Sequence, residues 1–322
     1  MRRRTWQEDQ PAEPAHENSE QGDSPMLNAK ARRVALGLML SVTVQAATPA
    51  LALENPAPLP PSQPYVIAQS YTLHSQVLNE QRVLNIMLPE GYAEQPGQRF
   101  PVVYLLDGGQ HEDFTHMAGA VQYASFSWVQ KLPPAILVGI ANTDRKRDMT
   151  FKASPNFVWP KWLHGYSDAY KNAGGSEAFM RYIETEVQPF VEQNFRTNDD
   201  RMLVGQSLAA LLATEVLLKK PRLFNQYVIM SPALWWDNES LLRRAPALLR
   251  ELPKTPMKVY LAVGNEGPNM VRDARALAEL LRRHKTPQMQ FVFEHLPKED
   301  HGTILHPATL NAFGYFFPRK AQ

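Results

Sequence analysis

The chain has 322 residues, 44% hydrophobic and 10% aromatic, enough for one large domain or two small ones. A chain of this size buries roughly three quarters of its unfolded surface, so a substantial core is expected. A formal net charge of +2 without a dense Lys/Arg block gives no case for nucleic acid, and zero Cys removes disulfides, thiolate metal sites and cysteine nucleophiles together.

Residues 1–25 are polar, rich in Gln, Glu and Pro, and unable to fold alone. Met26 reads as the true start, which leaves residues 1–25 outside it or disordered, and is followed by a basic patch (Lys30, Arg32, Arg33), an apolar run over 34–47 and the small-x-small string Ala50-Leu51-Ala52. The run is about 14 residues, too short to span a bilayer and suited to the apolar region of a signal peptide. Residues 26–52 therefore read as an export signal with cleavage after Ala52 and a periplasmic or secreted destination; an uncleaved anchor is the competing reading. After cleavage no stable membrane span is expected. Residues 53–64 form a stiff, proline-rich leader.

From residue 65 the pattern becomes that of a fold. Residues 65–78 and 81–88 alternate apolar and polar side chains around Asn79-Glu80, the mark of an antiparallel hairpin at a sheet edge. Residues 100–106 (Phe-Pro-Val-Val-Tyr-Leu-Leu) are continuously apolar, as in a strand covered on both faces, and run into Asp107-Gly108-Gly109. Residues 135–141 predict a second buried strand, 177–195 a helix, 226–231 and 257–263 two more strands, 291–293 a last one and 307–317 a closing helix. Strands alternating with helices predict an α/β fold: a mostly parallel central sheet with helices on both faces and the hairpin at its start, one domain over 65–322. Residues 142–175 break the alternation. They carry Phe151, Phe157, Trp159, Trp162, Tyr166 and Tyr170 among Arg145, Lys146, Arg147, Lys152 and Lys161. Such an excursion either packs its aromatics on the body or forms a rim offering stacking faces and positive charge to an aromatic, anionic ligand.

The chemistry centres on Arg201-Met202-Leu203-Val204-Gly205-Gln206-Ser207-Leu208-Ala209. An apolar strand, a serine on a tight turn and a run of helix formers make a nucleophile elbow, which needs small residues two before and two after the serine. Gly205 and Ala209 fill those places. A serine hydroxyl is a weak nucleophile and requires a base, a group to orient it, and donors for the oxyanion. His301, in the loop after the last strand, has the position of the base. The acid belongs after strand 257–263: Glu266 in the loop is the first candidate, Asp273 in the next helix the second, and a dyad without an acid the third. The oxyanion donors are the backbone amides of Leu208, next to the nucleophile, and Gly109. No metal or cofactor is called for.

Five stretches carry a resemblance: Val102 through Gly108, the R-x-R-D-x-T string from Arg145 to Thr150, Arg201 through Leu211, Ser231-Pro232-Ala233-Leu234-Trp235-Trp236-Asp237, and Asp300-His301-Gly302-Thr303. Together they resemble the esterase branch of the α/β-hydrolases, which includes esterase D-like enzymes, mycolyl transferases and siderophore esterases. The resemblance implies an α/β-hydrolase fold and a Ser-His(-acid) ester hydrolase. By carry-over it implies that Arg147 and Trp235 face the substrate, and the aromatic excursion adds Trp159. Gln206 stands where the family often has His, and Ala209 where it often has Gly. Within the branch, exported esterases of catecholate siderophores fit best, with a small-molecule ester, including a ferric siderophore such as ferric enterobactin, as partner. A general carboxylesterase, a mycolyl-type acyltransferase and a non-catalytic binding protein on this fold are the alternatives.

Overall fold

A computed structural model describes residues 61–319. The expected export signal, its expected cleavage after Ala52 and most of the proline-rich leader lie outside the described residues, and the described residues from Ser62 onward form one compact unit. Its centre is an eight-stranded sheet in the order β1-β2-β4-β3-β5-β6-β7-β8. The hairpin forms as the alternation predicts: β1 (Gln69–Ser75) is the outer strand and pairs antiparallel with β2 (Glu80–Met87). β2 also pairs antiparallel with β4 (Ile136–Ile140), and the remaining pairings, of β4 with β3 (Phe100–Leu106) and onward through β5 (Thr197–Gln206), β6 (Gln226–Met230), β7 (Met257–Gly264) and β8 (Met289–Leu296), are all parallel. β4 and β6 are buried at every position, which is why their sequences are apolar without alternation.

Two apolar layers cover the sheet. On one face α1 (Phe114–Ser125) and α8 (Leu305–Phe316) contribute Met117, Val121, Ala312 and Phe313. On the other lie α3 (Ser176–Tyr182) and α4 (Gln188–Asn194), joined through one π-helical turn, with α5 (Leu208–Lys219), α6 (Trp236–Arg250) and α7 (Pro268–Arg283). α5 is buried along all but its last residue, the expected place for a helix that is apolar all round.

The 142–175 excursion proves to have regular pieces. A four-residue helix, α2 (Arg145–Asp148), is capped by Asp144, whose carboxylate accepts from the Arg147 amide. Phe157, Trp159 and Tyr170 pack on the core around Trp236, with ring centroids 5.0, 6.0 and 5.6 Å from its ring, while Trp162 and Tyr166 stay exposed. The packing reading thus holds for the first three side chains, and the last two stand at the surface. The excursion is tied down at Asp237, which accepts from the Ser154 amide (2.8 Å) and hydroxyl (2.7 Å), and at Asn238, which accepts from the Val158 amide (3.0 Å). To present those side chains, Asp237, Asn238 and Glu239 take three successive left-handed conformations (φ 51, 52 and 63°) ahead of the regular part of α6.

An ionic cluster holds α2 to the hairpin. Arg82 of β2 is fully buried, lies against the rings of Phe179 and Tyr182 and donates to Asp148 (2.7 Å) and the Ala141 carbonyl (2.9 Å). Arg147 bridges Asp148 (2.7 Å) and Glu80 (2.6 Å), and its guanidinium holds the Glu80 carboxyl down at about 2 against the opposing effect of burial.

Where β3 leaves the sheet, the chain crosses β4 at closest approach. A Cβ on Gly108 would stand 2.3 Å from the Gly139 Cα and 2.4 Å from the Ile140 amide nitrogen, both backbone and unable to yield. Overpacking of this kind costs about 1–3 kcal/mol, so Gly108→Ala is expected to lower Tm by roughly 3–10 °C in a thermal melt; an unchanged Tm would contradict this packing.

Candidate active site

Ser207 is the first residue beyond β5 and adopts φ 62°, ψ −119°, a conformation no L-residue prefers. Its surroundings over-determine it. The Ser207 amide donates to the Met230 carbonyl (3.0 Å), and the Ser207 carbonyl accepts from Leu211 (2.9 Å) and Ala233 (3.1 Å). The requirement for a small residue at 205 is equally physical: a Cβ there would lie 2.6 Å from the Ala209 carbonyl oxygen and 3.1 Å from the Ala209 methyl. Alanine at 209 is therefore compatible with the elbow because 205 is glycine.

His301 sits in the loop between β8 and α8. Its Nδ1 and Glu266 Oε2 are 2.5 Å apart. Of the two acid candidates the structure brings Glu266 to the imidazole. The other Glu266 oxygen accepts from the Gly264 amide (2.9 Å) and the Ser231 hydroxyl. Burial pushes the Glu266 carboxyl up, but hydrogen bonds from His301 and Ser231, the imidazole's charge and the Gly264 amide outweigh it and hold the group below the usual carboxylate range. An ionised acceptor at Nδ1 places the imidazole proton there and leaves Nε2 able to accept one. Asp273 lies elsewhere, buried on α7 and paired with Arg272 (2.7 Å), its carboxyl raised by burial.

Ser207 and His301 line one pocket of about 320 Å³ with Asp107, Asp113, Arg145, Gln206, Gly302 and Leu305. Among the described residues the serine hydroxyl and the imidazole are not hydrogen-bonded to each other; catalytic hydrogen bonds commonly tighten only when substrate is bound. The amide of Leu208, first residue of α5, belongs to the helix turn whose N–H groups lack intrahelical acceptors. The Gly109 amide, the second expected oxyanion donor, here donates to Glu112 Oε2 (2.6 Å), a carboxylate oxygen where a substrate oxygen was expected.

The expected substrate contacts need a correction. Arg147 does not line the pocket; it is committed to Glu80 and Asp148 in the cluster under α2. Two residues apart on a helical turn, Arg145 and Arg147 point to different sides, and it is Arg145 that reaches the pocket. Arg145 holds Asp107 with two hydrogen bonds (2.7 and 2.8 Å), the geometry of a bidentate guanidinium–carboxylate pair. Trp235 and Trp159 are not among the pocket-lining residues either. Trp235 stands edge-on to exposed Trp162 (5.2 Å) in the aromatic rim, whereas Trp159, edge-on to Tyr170 (5.4 Å), packs against the core at Trp236. Tyr170 links that rim to the pocket through its closeness to Arg145.

Asp113, Asp107 and Gln206 were not singled out as substrate-facing by sequence. Asp113 caps no amide of α1 with its side chain, and burial, followed by the charge of Asp107, pushes its carboxyl up to about 6 against the opposing Arg145. Among the described residues no group of three or more His, Asp or Glu is placed to hold a metal ion, and no helix is long and apolar enough to cross a membrane.

Two outcomes follow. Glu266→Gln is expected to cost about a hundredfold or more in kcat on an aryl acetate, and Asp273→Asn to stay within a few-fold of the parent enzyme; the reverse order in steady-state kinetics would reassign the acid. Asp113 is easier to protonate folded than unfolded, so its charge destabilises the fold above about pH 6 and has no effect below its ordinary value near 3.8. Asp113→Asn should therefore raise Tm at about pH 8, the gain fading to nothing by about pH 4, as thermal melts across that range would record.

Comparisons with known proteins bear on the family and the fold. The profile of the family described as Putative esterase matches residues 75–304. Ferri-bacillibactin esterase BesA of Bacillus subtilis (strain 168) is 27% identical over 242 residues, covering 70% of this chain and 82% of the relative. Apo-salmochelin esterase of Escherichia coli O6:H1 is 26% identical over 222 residues, covering 66% and 67%. The crystal structure of an IroE-like serine hydrolase from Shewanella oneidensis superimposes with a TM-score of 0.70 at 29% identity, covering 78% of this chain and 80% of that one. An α/β sheet in this strand order, a serine elbow and a family profile spanning both the serine and the histidine lead to one assignment: the chain belongs to the Putative esterase family and is a hydrolase of esters on the α/β-hydrolase fold.

Proposed function

We propose that the protein is an exported serine esterase whose substrate is a catecholate-siderophore trilactone, iron-free or ferric, opened through an acyl-serine intermediate. The observation that carries the mechanism is the pocket shared by Ser207 and His301, with Glu266 on the imidazole's far nitrogen. In the proposed reaction Ser207 Oγ attacks the ester carbonyl while His301 Nε2 takes its proton. The Glu266 carboxylate stabilises the imidazolium at Nδ1 without itself taking the proton. The Leu208 amide donates to the tetrahedral oxyanion, and the Gly109 amide joins it as the Glu112 carboxylate gives way to the incoming oxygen. His301 then protonates the leaving alkoxide, and water, deprotonated by the same imidazole, releases the acyl group and frees Ser207.

The substrate class rests on ligand chemistry and on kinship. Exposed Trp162 and Tyr166, with half-buried Trp235 behind them, offer ring faces and edges to aromatic acyl groups, and Arg145 supplies a guanidinium at the pocket wall. The relatives named as esterases of bacillibactin and salmochelin support the same class. Export rests on the signal-like stretch 26–52.

Ser207→Ala and His301→Ala are each expected to abolish hydrolysis of p-nitrophenyl acetate while the far-UV dichroism and Tm stay near those of the parent. Full activity in the serine variant would defeat the mechanism. Incubation with a tri-catecholate trilactone, iron-free and ferric, should yield linear catecholoyl-serine products by mass spectrometry. Hydrolysis of the p-nitrophenyl ester with an intact trilactone would instead leave a general carboxylesterase.

A further inference from the structure

Among the described residues, the hydrogen bonds that fix the His301 loop come almost entirely from one side. Asp300 Oδ1 accepts from the amides of Gly302 (2.9 Å) and Thr303 (3.0 Å), and Thr303 Oγ1 accepts from the Asp300 amide (3.0 Å), so these bonds only shape the loop internally. Its outward ties run to the end of β7 and the acid loop: the Asn265 amide donates to the Glu299 carbonyl (2.6 Å), and Glu266 holds the imidazole. In the sheet β6 lies between β7 and β5, the strand that ends at the nucleophile. The His301 side chain is about half exposed (48%), so packing does not fix it.

One side chain makes the crossing. Gln206, the last residue of β5, donates from its side-chain amide to the backbone carbonyl of His301 itself. Its own carbonyl lies 3.5 Å from Arg145 Nη2, and it lines the pocket beside Ser207. The residue next to the nucleophile is thereby bonded to the residue that must take the nucleophile's proton. With Glu266 alone the imidazole keeps a hinge about a single contact; a second anchor at its main chain sets how far the ring stands from the elbow.

We propose that Gln206 is a positioning residue for the general base, holding the His301 loop at working distance from Ser207 through this amide-to-carbonyl bond. The proposal rests on the reading of Ser207 and His301 as nucleophile and base. The chemistry of the bond dictates which side chains can serve. A neutral amide donates at every pH. A carboxylate of the same shape cannot donate to a carbonyl, and an aliphatic side chain cannot either. A histidine keeps at least one N–H in each of its protonation states and can replace the donor. A misplacement of about 1 Å in such a constellation costs on the order of a hundredfold.

The test compares Gln206→Leu, Gln206→Glu and Gln206→His with the parent enzyme on p-nitrophenyl acetate across pH, with Tm measured for each. The expected result is a fall in kcat of about ten- to a hundredfold for the Leu and Glu variants, with KM changed less than about threefold and Tm nearly unchanged. The histidine variant should recover kcat to within a few-fold. The downfield proton resonance of the His301–Glu266 bond should persist in the Leu and Glu variants, since that contact is not disturbed. Gln206→Glu is isosteric, so it remains informative if the leucine variant fails to fold. Leucine or glutamate variants with kcat within twofold of the parent would overturn the proposal, as would a loss of kcat accompanied by an equal collapse of Tm in both. A parent enzyme without any Ser207-dependent esterase activity would overturn the underlying reading instead, so the two failures are distinguishable.

Discussion

Three neighbouring parallel strands end in backbone that ordinary residues avoid: β3 at Asp107 (φ 56°), β5 at Ser207 (φ 62°) and β6 at Ser231 (φ 48°). Each such residue costs on the order of 1–3 kcal/mol and persists only where its surroundings leave no other choice. Here each bend puts a polar group where the chemistry needs it. Asp107 receives Arg145, Ser207 presents its hydroxyl, and Ser231 donates to the far oxygen of Glu266. The cross-strand amide bonds at these ends, Gly108 to Ile140, Ser207 to Met230 and Ser231 to Ala262, transfer the rigidity of the sheet to them. The site is precise because the sheet's interior hydrogen bonding extends one or two residues past its strands.

That constraint also explains what could be read from residue order and what could not. Strands β3, β4 and β6 declared themselves as uninterrupted apolar runs, and the elbow as a glycine and a serine between strand and helix. His301 followed from its place after the last strand. Loop position put Glu266 ahead of Asp273, but both follow β7, and it is three-dimensional reach to Nδ1 that decides between them. Resemblance pointed to Arg147 in place of Arg145 for a related reason. A short string records both cations, but which one faces the pocket depends on where the four-residue helix α2 is anchored. Asp113 carried no signal, since its raised carboxyl comes from burial and the nearby charge of Asp107, both products of the fold rather than of a local motif. Gln206 was visible as a departure from the family pattern, yet its partner is a main-chain oxygen, and backbone acceptors leave no trace in composition.

The aromatic excursion shows how packing and exposure share one segment. Phe157, Trp159 and Tyr170 lie against Trp236, whose indole N–H donates to the Phe151 carbonyl (2.8 Å) from within the core. Trp162 and Tyr166 are left at the surface on a base those rings make stiff. Aromatic side chains lose little rotational freedom on being held, so a stiff platform of them meets a flat ligand at low entropic cost. The left-handed turn at 237–239 is the clamp for this platform, fastening it through side-chain acceptors rather than through a sheet.

The buried guanidinium of Arg82 has a consequence for distant parts of the molecule. It sits on β2, the strand beside the sheet's outer edge, yet its partner Asp148 closes the same helical turn whose first residue, Arg145, walls the pocket. Stranding a buried carboxylate costs several kcal/mol, so the turn cannot relax independently of the hairpin. Hairpin and catalytic cleft are in this sense one mechanical piece, so a change at a buried side chain of β2 reaches chemistry performed three strands away.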